Sequence, residues 1–173
     1  MSHIADDAVE LRQVGNRALA RRDYAAAEAA FRKWVQQYPD SPEGYLALAR
    51  LFERTHRHRE TVELLAPQSA HFDLPAIHRS LADAYRILAA RGDRSAIERA
   101  IIHYDALHQK RKDPVTLFYQ GELLAEKGDL ERAFEALRSS LILDPKSPTV
   151  RAAARRCAQR LGRPELAELL ASE

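Results

Sequence analysis

The side chains best equipped for chemistry in this sequence are seven His, one Cys and an Arg content far above that of Lys. A structural zinc needs four converging ligands. His56 and His58 lie one residue apart in the tract His56-Arg57-His58-Arg59, whose guanidinium groups would repel a cation, so the tract predicts a solvated turn. His103 and His108 are five residues apart and miss the i, i+4 spacing that shares a helical face. No second Cys completes a ligand set, and no metal is expected. Local spacing places no His beside Cys157 to hold a thiolate, and its Ala-rich surroundings predict a small packed hydrophobe. The chain has no G-x-S-x-G, Walker loop, H-E-x-x-H or dinucleotide fingerprint. Catalytic residues and cofactors are therefore expected to be absent. What remains is recognition: guanidinium forks suit carboxylates. Codon usage in a GC-rich bacterial genome explains the same Arg total.

The elements that must position these groups are short helices. Between Pro114 and Pro148, Leu117, Gly121 and Leu124 recur at helical spacing, Gly128-Asp129 interrupts, and Leu130, Ala133, Leu137 and Leu141 resume it. Gly128 suits a positive φ, Asp129 can cap the second helix, and Asp144-Pro145 stops it. Each helix is apolar on one side only, so the pair needs neighbours to cover both stripes. Strand-like alternation is absent. The reading is all-α.

The same unit recurs. Residues 8–41 align with 114–147 at a constant offset of 106: Leu11, Gly15 and Ala18 match Leu117, Gly121 and Leu124. Asp23-Tyr24 then matches Asp129-Leu130, and Ala27, Phe31 and Trp34 match Ala133, Leu137 and Ser140. A looser copy spans 42–74, with Tyr45, Leu48, Ala49 and Phe52, a turn at Thr55-His56-Arg57, a second helix from His58 to about Ala66, and an irregular connector over 68–74. Another spans 75–113, where Ser95 and Glu98 form a capping-box pattern at the start of the second helix. A partial copy occupies 148–173, with Ala154, Ala158, Gly162, Pro164 and Ala167. Together they form one expected domain over 1–173.

This pattern resembles the tetratricopeptide repeat, W-x₂-L-G-x₂-Y, A-x₃-F and P over 34 residues, most fully in 8–41 and 114–147. The resemblance implies a right-handed superhelical solenoid of antiparallel helix pairs, about four and a half repeats, with first helices lining a concave groove. Small residues at Gly15, Gly121, Ala27 and Ala133 would let helices approach closely, with Phe31 and Leu137 filling the space between neighbouring units. Repeat register aims Arg12, Asn16, Glu43, Arg50, Arg54, Arg79, Asp83, Arg86, Phe118, Tyr119, Glu122, Arg156 and Arg160 inward. Cationic forks beside the Phe118–Tyr119 shelf would suit a peptide carrying carboxylates and one bulky anchor. Pairing of Arg50 with Asp83 and Arg86 with Glu122 would instead leave a neutral, solvated wall. The helix around Arg12 and Asn16 also looks like that of co-chaperones whose clamp holds a C-terminal carboxylate. In the other clamp positions this chain has Ala47, Ala76 and Ser80.

The formal charge of +2 gives no basis for nucleic-acid binding without a clustered basic face. The first residues lack a signal-peptide pattern, and no run approaches the ~18 apolar residues of a membrane helix. A single Cys fits a reducing compartment, so a cytoplasmic protein without membrane insertion is expected. The resulting function is a non-enzymatic interaction module or adaptor binding a peptide or helix of a partner protein. The alternatives are a chaperone for a secreted or assembly substrate, or a scaffold that forms homo-oligomers through Leu166, Leu169 and Leu170 of its last helix.

Overall fold

The computed structural model describes residues 2–110 and 112–170. Its helices are α1 (Ser2–Ala20), α2 (Tyr24–Gln37), α3 (Pro42–Arg54), α4 (His58–Leu65), α5 (Ser69–Phe72) and α6 (Pro75–Ala90). Further along the chain come α7 (Ser95–Lys110), α8 (Pro114–Lys127), α9 (Leu130–Leu143), α10 (Pro148–Arg160) and α11 (Pro164–Leu169). No strand occurs among the described residues. Two compact units, Met1–Ala84 and Tyr85–Glu173, divide the chain within α6. The all-α expectation is met.

In unit 1, α1 pairs with α2 and α3 with α4, while α2 packs on α3. A Cβ at Gly15 would stand 2.2 Å from Phe31 Cε1, so the α1–α2 pair closes only around a residue without a side chain. Phe31 thus fills space inside its own helix pair as well as joining the core with Trp34, Leu48, Leu51 and Phe52. The Trp34 ring lies 3.3 Å from where a Cβ of Gly44 would be. In unit 2, α8 pairs with α9 and α10 with α11, with α7 on α8 and α9 on α10. Leu137 covers Gly121 at 2.6 Å from the same hypothetical Cβ, repeating the arrangement.

All five helix pairs among the described residues turn in the same way. The amide of Asp23 donates to the carbonyl of Ala18, Arg57 to Phe52, Asp93 to Leu88, Asp129 to Leu124 and Arg163 to Ala158. Each bond closes a Schellman motif, which needs a left-handed residue just before the donor. That residue is Arg22 (φ 60) or His56 (φ 60) in unit 1, and Gly92, Gly128 or Gly162 in unit 2.

Several local expectations need correction. The connector after α4 is not irregular: a 3-10 turn over Ala66–Gln68 runs into α5. Backbone donors there stay satisfied despite Pro67, because Pro in the first turn costs no helical bond. The Ser95–Glu98 capping box does not form. Ser95 donates its hydroxyl to Asp93 Oδ1 at 2.6 Å instead, and Glu98 reaches Lys127 on α8. Asp129 caps α9 through its backbone carbonyl alone, its carboxylate going to Arg132 at 3.4 Å. Asp23, its counterpart in α2, does accept from the Ala26 amide at 3.0 Å.

The His-Arg tract is a solvated turn only in part: His56 and Arg59 are exposed, but Arg57 and His58 are not. His58 is 5 % exposed. Arg57 reaches back to Glu28 of α2 at 2.5 Å, bonds Glu60 of α4, and lies over the Phe52 ring at 4.5 Å. These bonds from Arg57 hold both carboxyls below the ordinary value of 4.5. Charge that looked destined for water ties three helices together.

Candidate functional site

The first helices of the pairs, α1, α3, α6, α8 and α10, carry every residue expected to face inward. Unit 1 holds Arg12, Asn16, Arg50, Arg54, Arg79 and Asp83; unit 2 holds Arg86, Phe118, Tyr119 and Glu122.

In unit 1, Arg12, Asn16, Arg50, Arg54 and Arg79 are exposed and Asp83 is half-buried. Arg79 and Asp83 have interactions within the protein. Among the described residues, Arg12, Arg50 and Arg54 make neither a hydrogen bond nor an ion pair, and the expected Arg50–Asp83 bridge does not form. Near Arg50 stands an acid that sequence reading passed over: Glu53, one turn away on α3. Glu53 is half-buried, accepts a hydrogen bond from Ser80 on α6, and senses both Asp83 and Arg50. Burial, reinforced by the Asp83 charge, pushes its carboxyl up against the opposing effects of Ser80 and Arg50. Its Oε1 is buried without a hydrogen-bond partner among the described residues. The available clue was register: Glu53 occupies the α3 position that Arg86 occupies on α6. Ser80, which stands at a carboxylate-clamp position, commits its hydroxyl to Glu53.

In unit 2 the two aromatic side chains expected to form a shelf are already partly engaged within the protein. Phe118 and Tyr119 are half-buried, their ring centres 5.2 Å apart, and Tyr119 stacks on the buried Tyr104 at 6.2 Å. Arg86 does not pair with Glu122; its guanidinium lies over the Tyr119 ring at 4.1 Å, a cation–π geometry. Glu122 turns to the other side and meets Arg156 of α10 at 3.3 Å. That pair is 41 % and 60 % exposed for acid and base, so it contributes only ~0–1 kcal/mol. Between α8 and α10 lies an open pocket of about 310 Å³, bordered by Glu122, Glu126, Arg156 and Arg160 over Ala125 and Ala153.

Cys157 is 2 % exposed beneath this pocket, its Sγ 3.3 Å from the Leu130 carbonyl. Burial raises its thiol above the ordinary range, as a packed hydrophobe requires. Of the apolar side chains proposed for self-association, Leu166 and Leu170 are half-buried; the Leu169 side chain lies outside the described residues. No described helix is long and apolar enough to cross a membrane.

The tetratricopeptide repeat family model matches residues 8–68. No curated protein matches the chain. Among solved structures, a crystal structure of MamA is 14% identical, with 97% of this chain and 90% of that one covered at a TM-score of 0.86. MamA from Desulfovibrio magneticus RS-1 gives 15% identity, 96% and 92% coverage, and a TM-score of 0.78. A tetratricopeptide repeat protein from Parabacteroides merdae ATCC 43184 gives 17% identity, 95% and 64% coverage, and a TM-score of 0.78. Residues 8–68 therefore match the tetratricopeptide repeat model, and the chain shares the fold of the solved structures it is similar to.

Proposed function

We propose that the chain is a non-enzymatic adaptor whose first-helix wall in unit 1 binds an acidic peptide or helix of a partner protein. The observation that carries this reading is the set Arg12, Arg50 and Arg54, three exposed guanidiniums with no hydrogen bond or ion pair among the described residues. Several guanidinium groups elsewhere are put to use: Arg57 binds Glu28 and Glu60, Arg86 covers Tyr119, and Arg156 and Arg163 meet Glu122 and Glu131, while Arg160 in unit 2 is exposed and has no ion pair among the described residues. Forks left unpaired on one wall are ready for bidentate bonds to carboxylates. Tetratricopeptide repeats are interaction modules, which supports the class of activity. Asn16, exposed one turn from Arg12, would contact the same ligand. The free, buried Cys157 supports work in a reducing compartment such as the cytoplasm.

A peptide array displaying acidic sequences with free and amidated C-termini tests this. Arg12→Ala and Arg50→Ala should each weaken capture of acidic peptides whatever their terminus. Selective loss of the free-carboxylate set in Arg12→Ala and Asn16→Ala would favour a terminal clamp. Capture unaffected by any of these substitutions would remove the proposal.

A further inference from the structure

On the side of α8 away from α10, an open cavity of about 370 Å³ lies between the second helices α7 and α9. Leu117, Leu124 and Ala136 form its floor, and Asp105, Glu131 and Glu135 stand at its rim. A smaller cavity of about 170 Å³ adjoins it, bordered by Leu117, Ile142 and Leu143. His108, Leu117 and Ser139 line both, so the two form one trough within unit 2. Ile142 at its edge is 67 % exposed, the highest value for a large apolar side chain among the described residues.

Unit 1 shows how the same backbone treats the corresponding place. Helices α3 and α4 align with α8 and α9 at a constant offset of 72, which sets Phe52 against Leu124 and Arg57 against Asp129. The Arg57 guanidinium lies 4.5 Å over the Phe52 ring, between Glu28 of α2 and Glu60 of α4. A cation over an apolar floor, gripped by a carboxylate from each second helix, closes the cleft. Unit 2 keeps the floor and the carboxylates but not the plug. Leu124 is smaller than Phe, and the Asp129 side chain is too short to lie over it. The chain's own Arg132 meets Asp105 at 3.7 Å and Asp129 at 3.4 Å, more than half exposed, and the cavity stays open. Glu131 and Glu135 pair with Arg163 and Arg138 only at the surface, where such pairs are weak and exchange partners.

We infer that the trough between α7 and α9 docks a helix of a partner protein through one Arg and, two turns along, one Leu or Ile. The Arg lies over Leu124 as Arg57 lies over Phe52, between Asp105 and the α9 carboxylates. The apolar side chain packs on Leu117, Ile142 and Leu143. Three carboxylates against Arg132 alone select a cation. The span selects a helix. Leu117 and Leu124 are seven residues apart on α8, about 10.5 Å, and a ligand helix covers that distance with side chains at i and i+7 on one face. An extended chain reaches about 10 Å in three residues, whose end side chains point to opposite faces. This site goes beyond the unit 1 reading, since it uses other helices and takes ligand charge of the opposite sign.

The probe is an N-acetylated, C-amidated helical peptide of Ala and Gln that carries Arg and, seven positions later, Leu. It is titrated into the full chain and followed through the NMR methyl signals of Leu124 and Ile142. Saturable shifts at both are expected. Replacing the peptide's Arg by Gln, or its Leu by Ala, should each weaken binding about tenfold or more. The Glu131→Gln, Glu135→Gln double variant should show a similar loss for the Arg peptide. Asp129→Arg supplies the chain with its own counterpart of Arg57 and should block the peptide; the α9 cap survives, being made by the backbone carbonyl. These three positions are at the surface or half-buried, and unchanged α-helical circular dichroism verifies the fold. Absent shifts, equal binding of the Gln-for-Arg peptide, or full binding to either variant would each overturn the site. The peptide has no acid, so the outcome is independent of acidic-peptide capture by Arg12, Arg50 and Arg54. Loss of that capture with the Arg peptide still bound would sink the unit 1 reading alone.

Discussion

Units 1 and 2 build the same helix pairs from different residues. In unit 1 the left-handed turn position holds Arg22 and His56; in unit 2 it holds Gly92, Gly128 and Gly162. A non-glycine residue there costs roughly 1 kcal/mol of backbone strain, yet the Schellman bonds are the same. Unit 1 offsets this with an ion-pair hub around Arg57, which ties α4 back to α2. The walls differ in the opposite sense. Unit 1 leaves Arg12, Arg50 and Arg54 unpaired among the described residues, whereas unit 2 seats Arg86 on Tyr119 and Arg156 against Glu122 and leaves Arg160 unpaired. A repeat backbone therefore fixes where side chains stand but not whether they serve stability or recognition.

Core substitutions probe the shared part of that comparison and should have the largest effect. Gly15→Ala drives a methyl into Phe31, a fully buried ring, and Gly121→Ala meets Leu137 at 2.6 Å. Each should cost about 3 kcal/mol. Because repeats depend mainly on their neighbours, hydrogen exchange should show Gly15→Ala loosening unit 1 while α8 and α9 stay protected. Equal loss in both units would mean they do not fold as separately as their contacts imply.

The hub comes next. Arg57→Ala removes bonds to two carboxylates and a cation–π contact, about 1–2 kcal/mol by chemical denaturation. The sign of its pH dependence is set by Glu28 and Glu60, whose folded-state values are lowered by Arg57. Their contribution is complete above the ordinary value near 4.5 and disappears as pH falls through the lowered values. Arg57→Ala should therefore flatten the acid limb of the stability profile. Glu53 acts in the other direction: its carboxyl is raised, so its contribution is present below 4.5 and lost as pH climbs through the raised value. Glu53→Gln should make unit 1 slightly more stable at neutral pH than at pH 4, relative to the parent chain.

The turns give the smallest effect and the sharpest contrast. His56→Gly should stabilise by at most about 1 kcal/mol, since it relieves strain but frees the unfolded chain, whereas Gly128→Ala should destabilise by a similar amount. Thermal melts compare the two directly. Stabilisation by both would contradict the strain assigned to unit 1.

Most of the fold was legible because apolar spacing and the Gly, Ala and Pro positions repeat along the chain. Gly128 and Gly162 announced their turns; Arg22 could not, since nothing in its chemistry signals a left-handed backbone. The connector over 68–74 misled because Pro67 reads as a stop, although Pro is accommodated in a first turn. The first-helix positions of Phe118 and Tyr119 also came from register, and both side chains are half-buried. Pairing did not. Arg50 with Asp83 and Arg86 with Glu122 were the reasonable partners by offset, but which contact a guanidinium makes, a ring in the case of Arg86, depends on burial and rotamers. Glu53 escaped notice because an acid on an amphipathic helix looks solvated until Ser80 of the next first helix covers it. Arg57 and His58 escaped for the same reason, their burial being set by helices far away in sequence.

The central claim is that unit 1 presents guanidiniums reserved for a partner. Fluorescence anisotropy of a labelled acidic peptide, titrated with the parent chain and with the Arg12→Ala, Arg50→Ala, Arg54→Ala triple variant over a series of salt concentrations, tests it most directly. The predicted result is an affinity lower by about tenfold or more in the triple variant, with much of the salt dependence gone. Equal affinity and equal salt dependence in the two proteins would contradict it.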